Sequence, residues 1–119
     1  MISPLISVAL GGALGAVGRF LVGVSLPFPY GTLAINVLGS FVIGLVWVIL
    51  TARGLQHWLP FVMTGILGGF TTFSAFSLDT LRLVEAGRLT AAGTYVLASV
   101  LLSLAACGAG LWLAKEMTT

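Results

Sequence analysis

The sequence predicts an all-α membrane protein with four transmembrane helices, the third broken at its centre, in a single domain over residues 1–119. Three observations lead there. Hydrophobic residues make up 59% of the chain, against five basic and three acidic side chains, which is too little polar surface for a water-soluble domain. Four stretches, residues 2–26, 31–52, 59 to about 84 and 89–114, each reach the roughly 20 apolar residues that cross a bilayer. Within the third, residues 68–77 read GGFTTFSAFS, with glycines and hydroxyl residues crowded around three phenylalanines at mid-span.

The first stretch lacks a basic leader and runs longer than a signal-peptide core, so it reads as a helix retained in the protein. Gly11, Gly15 and Arg19 fall at i, i+4 and i+8, a small-residue face suited to close helix contact within one protomer or between two. Pro27 and Pro29 punctuate the first connection. In the second stretch Thr32, Asn36 and Ser40 line one face, and Ser40 with Gly44 forms a second small-residue pair. Residues 54–58 form the next connection, where His57 beside Trp58 suits the membrane interface better than catalysis. In the third stretch Asp79 and Glu85 lie toward the end, and Asp79 with Arg82 at i+3 predicts a terminal ion pair, leaving no acid deep in a helix. Gly87 and Arg88 make the third connection. The fourth stretch repeats the polar stripe with Tyr95, Ser99 and Ser103, and its Cys107 reads as a small hydrophobe. With one cysteine there is no disulfide framework and no cysteine metal site.

The charges are few but informative. Four crossings put Arg53 and Lys115 on one side, and Arg82 and Arg88 on the other, with Arg19 as a possible flank. The positive-inside rule works through an asymmetry, and here there is almost none. The count is compatible with one orientation set by other factors, or with insertion both ways and antiparallel pairing. Four helices enclose no aqueous path of their own, so the polar stripes point to an oligomer. A net charge of +2, thinly scattered, does not indicate nucleic acid. No Ser/His/Asp set, metalloenzyme pattern or glycine-rich nucleotide loop is present, so the sequence gives no support for an enzyme.

The stripes serve either as glue between helices, with hydroxyls bonding back to their own carbonyls, or as a conduit. As a conduit they offer amide and hydroxyl donors and one guanidinium, which suit a small anion by replacing its hydration shell. Phe73 and Phe76, at i and i+3, read as core packing by spacing alone, but aromatic edges also attract anions.

The run GxxGGxTTFSxF, here residues 65–76, strongly resembles the signature of the CrcB/Fluc fluoride channels. GGALGAVGRF in the first helix, GTLAINVLGSFVIG in the second and the Tyr95/Ser99/Ser103 track in the fourth extend the resemblance over most of the chain. The resemblance implies an antiparallel, dual-topology homodimer in the plasma (inner) membrane, exporting fluoride passively from the cytoplasm through two pores and so reducing its toxicity. It implies that Phe73, Phe76 and Asn36 line the pore, with Thr32 and Ser74 nearby. Tyr95, Ser99 and Ser103 would be the hydroxyl track, and Arg19 would draw anions to a vestibule. A structural sodium ion would sit on the dimer axis, held by backbone carbonyls of Gly68 and Thr71. One departure is Ala75, where many relatives carry a hydroxyl. Two other classes compete with this reading. A small proton-coupled multidrug exporter requires an acidic residue in the first helix, and residues 2–26 hold none. A membrane assembly factor would use the stripes only to join helices.

Overall fold

The computed structural model describes residues 3–119. The expected start of the first helix at Ile2 lies outside them. Helix α1 (Pro4–Ser25) begins with Pro4 where a missing N–H costs nothing, and the Ser3 hydroxyl accepts from the Ile6 amide at 3.3 Å. It stops because Leu26, preceding Pro27, is forced into extended backbone. Helix α2 (Tyr30–Ala52) follows directly. Its end is set by Gly54, whose φ of +68° suits the left-handed turn; the Gly54 amide donates to Thr51 O and the Leu55 amide to Leu50 O.

The third crossing is assembled from pieces. A 3₁₀ turn (Gln56–Trp58) leads into a π-helical segment (Pro60–Leu67), where the Gly68 amide reaches back five residues to Met63 O. One α-turn, α3 (Gly68–Phe70), ends in two extended residues, Thr71 and Thr72, before α4 (Phe73–Glu85). The predicted break is therefore at Thr71–Thr72. Helix α4 ends at Gly87 by the same arrangement as α2, with a φ of +77° and the Arg88 amide donating to Leu83 O at 2.9 Å. Helix α5 (Leu89–Thr118) runs past the predicted limit at Ala114. Lys115 and Glu116 are good helix formers, and nothing in the sequence there breaks a helix that has left the bilayer.

Among the described residues there are four helical spans, of 22, 23, 30 and 30 residues. Most large apolar side chains point outward, including Leu5, Leu14, Phe20, Leu97 and Leu104, as lipid-facing residues do. The interior is held by backbone proximity. A Cβ at Gly15 would collide with Ile66 O and stand 2.8 Å from the Phe70 amide, so α1 lies directly on the π-helical segment and α3. The Gly11–Gly15 face thus packs within one protomer. Gly44 packs likewise on α5, where its Cβ would stand 2.5 Å from Cys107 O, and Gly110 answers it against Phe41 O. Asp79 departs from expectation. It is buried and forms no ion pair with Arg82, whose guanidinium lies 4.2 Å over the Phe28 ring.

A candidate ion pathway at the helix break

Unwinding residues 71–72 releases backbone groups in a medium that offers them no water, and each needs a partner. Asn36 of α2 supplies two of these partners. Its Oδ1 accepts from the Thr72 amide at 2.8 Å, and its Nδ2 donates to Thr72 O at 2.9 Å. The primary amide pairs with the extended residue as a neighbouring β-strand would. The Thr72 hydroxyl caps α4 by accepting from the Ala75 amide at 3.1 Å. From α1, Arg19 Nε donates to Gly69 O at 3.0 Å.

Several carbonyls lose their helical donors at the break, Gly68 O and Thr71 O among them. In an unbroken helix Gly68 O would accept from the Thr72 amide and Thr71 O from the Ala75 amide. Those donors are diverted to Asn36 and to the Thr72 hydroxyl, and the Thr71 amide turns back to Leu67 O. Gly68 and Thr71 both border one open cavity. Among the described residues no three His, Cys, Asp or Glu come together, so any cation here would be held by neutral oxygens. Two free carbonyls on an open face fit such a site.

That cavity, of about 450 Å³, also collects Asn36, Ser40, Phe73, Phe76, Ser99 and Ser103. The ring centroids of Phe73 and Phe76 are 5.3 Å apart, and Phe76 lies 5.4 Å from Tyr95. Phe76 is buried, whereas Phe73 is 77% exposed, an aromatic wall left open among the described residues. Ser99 is buried and its hydroxyl has no hydrogen-bond partner among the described residues. An orphaned donor at the edge of a cavity is a place for an ion or a water.

The remaining candidates lie elsewhere. Thr32 and Arg19 border a second cavity of about 390 Å³, together with Thr72 and Ala75. Ser74 is exposed and pairs with the Thr72 hydroxyl at 3.1 Å, outside both cavities. Tyr95 is buried, and its hydroxyl donates to Asp79 Oδ2 at 3.1 Å. So a carboxylate does sit beside the hydroxyl track, contrary to the expectation that no acid lies deep. The spacing of Phe76, Asp79 and Leu83 at i, i+3 and i+7 places all three on the buried face of α4, and that spacing was the overlooked signal. Ser40, expected both in the polar stripe with Asn36 and in a small-residue pair with Gly44, continues the Asn36 wall of the larger cavity.

Comparison with known proteins covers most of the chain. The family model described as "CrcB-like protein, Camphor Resistance (CrcB)" matches residues 6–111. A protein of Paracoccus denitrificans named "Fluoride-specific ion channel FluC" is 52% identical over 117 residues, covering 94% of each chain. One from Ruegeria, bearing the same name, is 45% identical over the whole of both chains. One from Agrobacterium fabrum, also so named, is 50% identical over 92% of this chain and 94% of its own.

Proposed function

The chain belongs to the CrcB-like family, and from that premise we propose that it is a fluoride-specific ion channel, passive and not enzymatic, in the plasma membrane. Its conducting form is an antiparallel, dual-topology homodimer with two pores, through which fluoride leaves the cytoplasm. The observation that carries the reading is the open cavity in which an orphaned Ser99 hydroxyl, the Asn36 amide and the Phe73–Phe76 pair share one wall. A second protomer is the natural cover for that wall.

The chemistry suits a small, strongly hydrated anion. Asn36 uses one of its two N–H groups on Thr72 and keeps the other for an ion. Ser99 and Ser103, one turn apart, offer hydroxyls that turn to follow an ion as it passes. The rings of Phe73 and Phe76 present edges rather than competing acceptors. The Tyr95 hydroxyl, committed to Asp79, marks the end of the track, and Thr32 and Arg19 face the separate vestibule. Ser74 acts through Thr72, steadying the cap of α4.

A sodium ion on the dimer axis, bound by Gly68 and Thr71 carbonyls from both subunits, is part of this proposal. Neutral hard oxygens suit a monovalent cation, and the diverted amides explain why those two carbonyls are free. The deciding experiment loads liposomes containing the purified protein with fluoride and follows release with a fluoride electrode. Release down the gradient without ATP or a proton gradient, with chloride retained, is expected. Equal chloride and fluoride fluxes, or no fluoride flux from intact dimer, would overturn the reading.

A further inference from the structure

Resting on that reading, we propose that Arg19 is a positioning residue, a strut that fixes the broken helix through its Nε–H, separate from any attraction its charge exerts on anions. The bond runs from Arg19 Nε to Gly69 O at 3.0 Å, between groups 50 residues apart and partly buried. Gly69 O is the carbonyl whose helical donor would be the Phe73 amide, and the extended pair Thr71–Thr72 carries that amide out of the ladder. Gly69 also touches α1 by backbone, since a Cβ there would stand 2.6 Å from Gly12 O and 3.3 Å from the Ala16 amide. Gly12, Ala16 and Arg19 lie at i, i+4 and i+7, so one face of α1 holds this carbonyl both by contact and by a hydrogen bond.

The geometry divides the guanidinium into two parts. Nε is spent on Gly69, while the side chain borders the second cavity beside Thr32 and Thr72. Gly69 follows Gly68 directly and precedes Thr71 by two residues, and Thr72 is fastened from the opposite helix by Asn36. The break is therefore pinned from α1 on one flank and from α2 on the other. Without the α1 pin, α3 is free to rotate about its own axis. Such rotation would misplace Phe73 and both free carbonyls.

Two neutral replacements separate the bond from the charge. Arg19→Gln puts an amide nitrogen at the same number of bonds from Cα as Nε, keeping a donor for Gly69 and removing the charge. Arg19→Met has nearly the same length and carries a methyl group there. Each is purified as dimer by size exclusion, its melting followed by heating, and its fluoride efflux measured in liposomes at low and high ionic strength. Arg19→Gln is expected to keep efflux within about threefold of wild type at high ionic strength, where charge steering is screened. Arg19→Met is expected to lose about tenfold or more and to melt earlier, or to yield no dimer where Gln does. Either result for Met supports the strut, because the two variants differ in the donor and not in charge. Arg19→Gln falling as far as Arg19→Met, or Arg19→Met matching wild type, would overturn it. Should wild-type protein carry no fluoride, the functional reading fails, and the Gln–Met difference in melting still decides the strut.

Discussion

Replacing Asn36 with alanine removes both bonds that hold Thr72, the amide–carbonyl pair at 2.8 and 2.9 Å. The Thr72 N–H is then left in a partly buried position, while its C=O keeps only the Phe76 amide that opens α4; an abandoned polar group costs about 1–3 kcal/mol. The lost second bond to the carbonyl adds about 0.5–1.5 kcal/mol, for a range of about 1.5–4.5 kcal/mol. The adjoining cavity lets water reach Thr72, so the lower end applies, about 2 kcal/mol, or roughly a 30-fold shift in the population of correctly broken helix. In the proposed dimer of two 119-residue chains the loss counts twice, about 4 kcal/mol, and corresponds to a fall in melting midpoint of about 8–16 °C. Fluoride efflux should fall by at least tenfold. Asn36→Asp is the sharper variant. It keeps an acceptor for the Thr72 amide but turns a carboxylate oxygen toward Thr72 O, so it should be no better than alanine. The assays are thermal melting of the detergent-solubilised dimer, without fluoride, and initial efflux rates from liposomes. If Asn36 served only to touch the ion, Asn36→Ala would melt with wild type while conducting poorly. A midpoint within about 1 °C of wild type would refute the clamp, being smaller than any loss worked out above.

The other predictions are shorter. Phe76→Ile should keep the fold, since an apolar side chain of fair size remains in the cluster with Leu83, Ala92 and Tyr95, yet lower fluoride flux by removing a ring edge; wild-type flux would return Phe76 to simple packing. Gly110→Val should cost more than about 3 kcal/mol and abolish dimer recovery on size exclusion, because the added carbons meet Phe41 O and, at 3.1 Å, the Leu45 amide. A cysteine placed after Thr119, in a Cys107→Ser background, should label from both sides of the membrane, and labelling from one side alone would remove the antiparallel dimer. Purification with N-methylglucamine in place of sodium should weaken dimer stability and flux. Full activity in sodium-free medium would mean that the Gly68 and Thr71 carbonyls need no cation.

The four spans, the three connections and the site of the break were all legible in the sequence, because each rests on a local rule. Pro27, Gly54 and Gly87 act on their own neighbours, and length with apolarity acts on a single helix. The α1 glycine face was equally visible, but its partner was not. Only packing shows that Gly15 lies on Ile66 and Phe70 rather than on another subunit. The polar candidates were found by residue type, and their partners were missed for the same reason. The stripe of Asn36 left helix glue and an ion conduit both open, because spacing does not show that one partner of its amide is the Thr72 backbone 36 positions away. Asp79 was read against Arg82, its neighbour along the helix, whereas its hydrogen bond comes from Tyr95 on α5 and Arg82 turns to Phe28. Local spacing favours the pairs three and four residues apart that it can see.

The order of the two fastenings along the chain has a consequence for how the protein is made. Both Asn36 and Arg19 precede the residues they hold, by 36 and 50 positions. At about 5–20 residues per second, Asn36 leaves the ribosome about 2–7 s before Thr72. The third crossing thus enters the bilayer after its clamps, and its unpaired amide and carbonyls meet waiting partners instead of hydrocarbon. A gene rearranged to begin at Pro60, with α1 and α2 joined behind α5, would encode the same contacts and reverse that order. Its broken helix would have to enter the membrane bare, at several kcal/mol for each uncovered group. Biogenesis, and not only the finished structure, therefore constrains where in the chain such a break is placed.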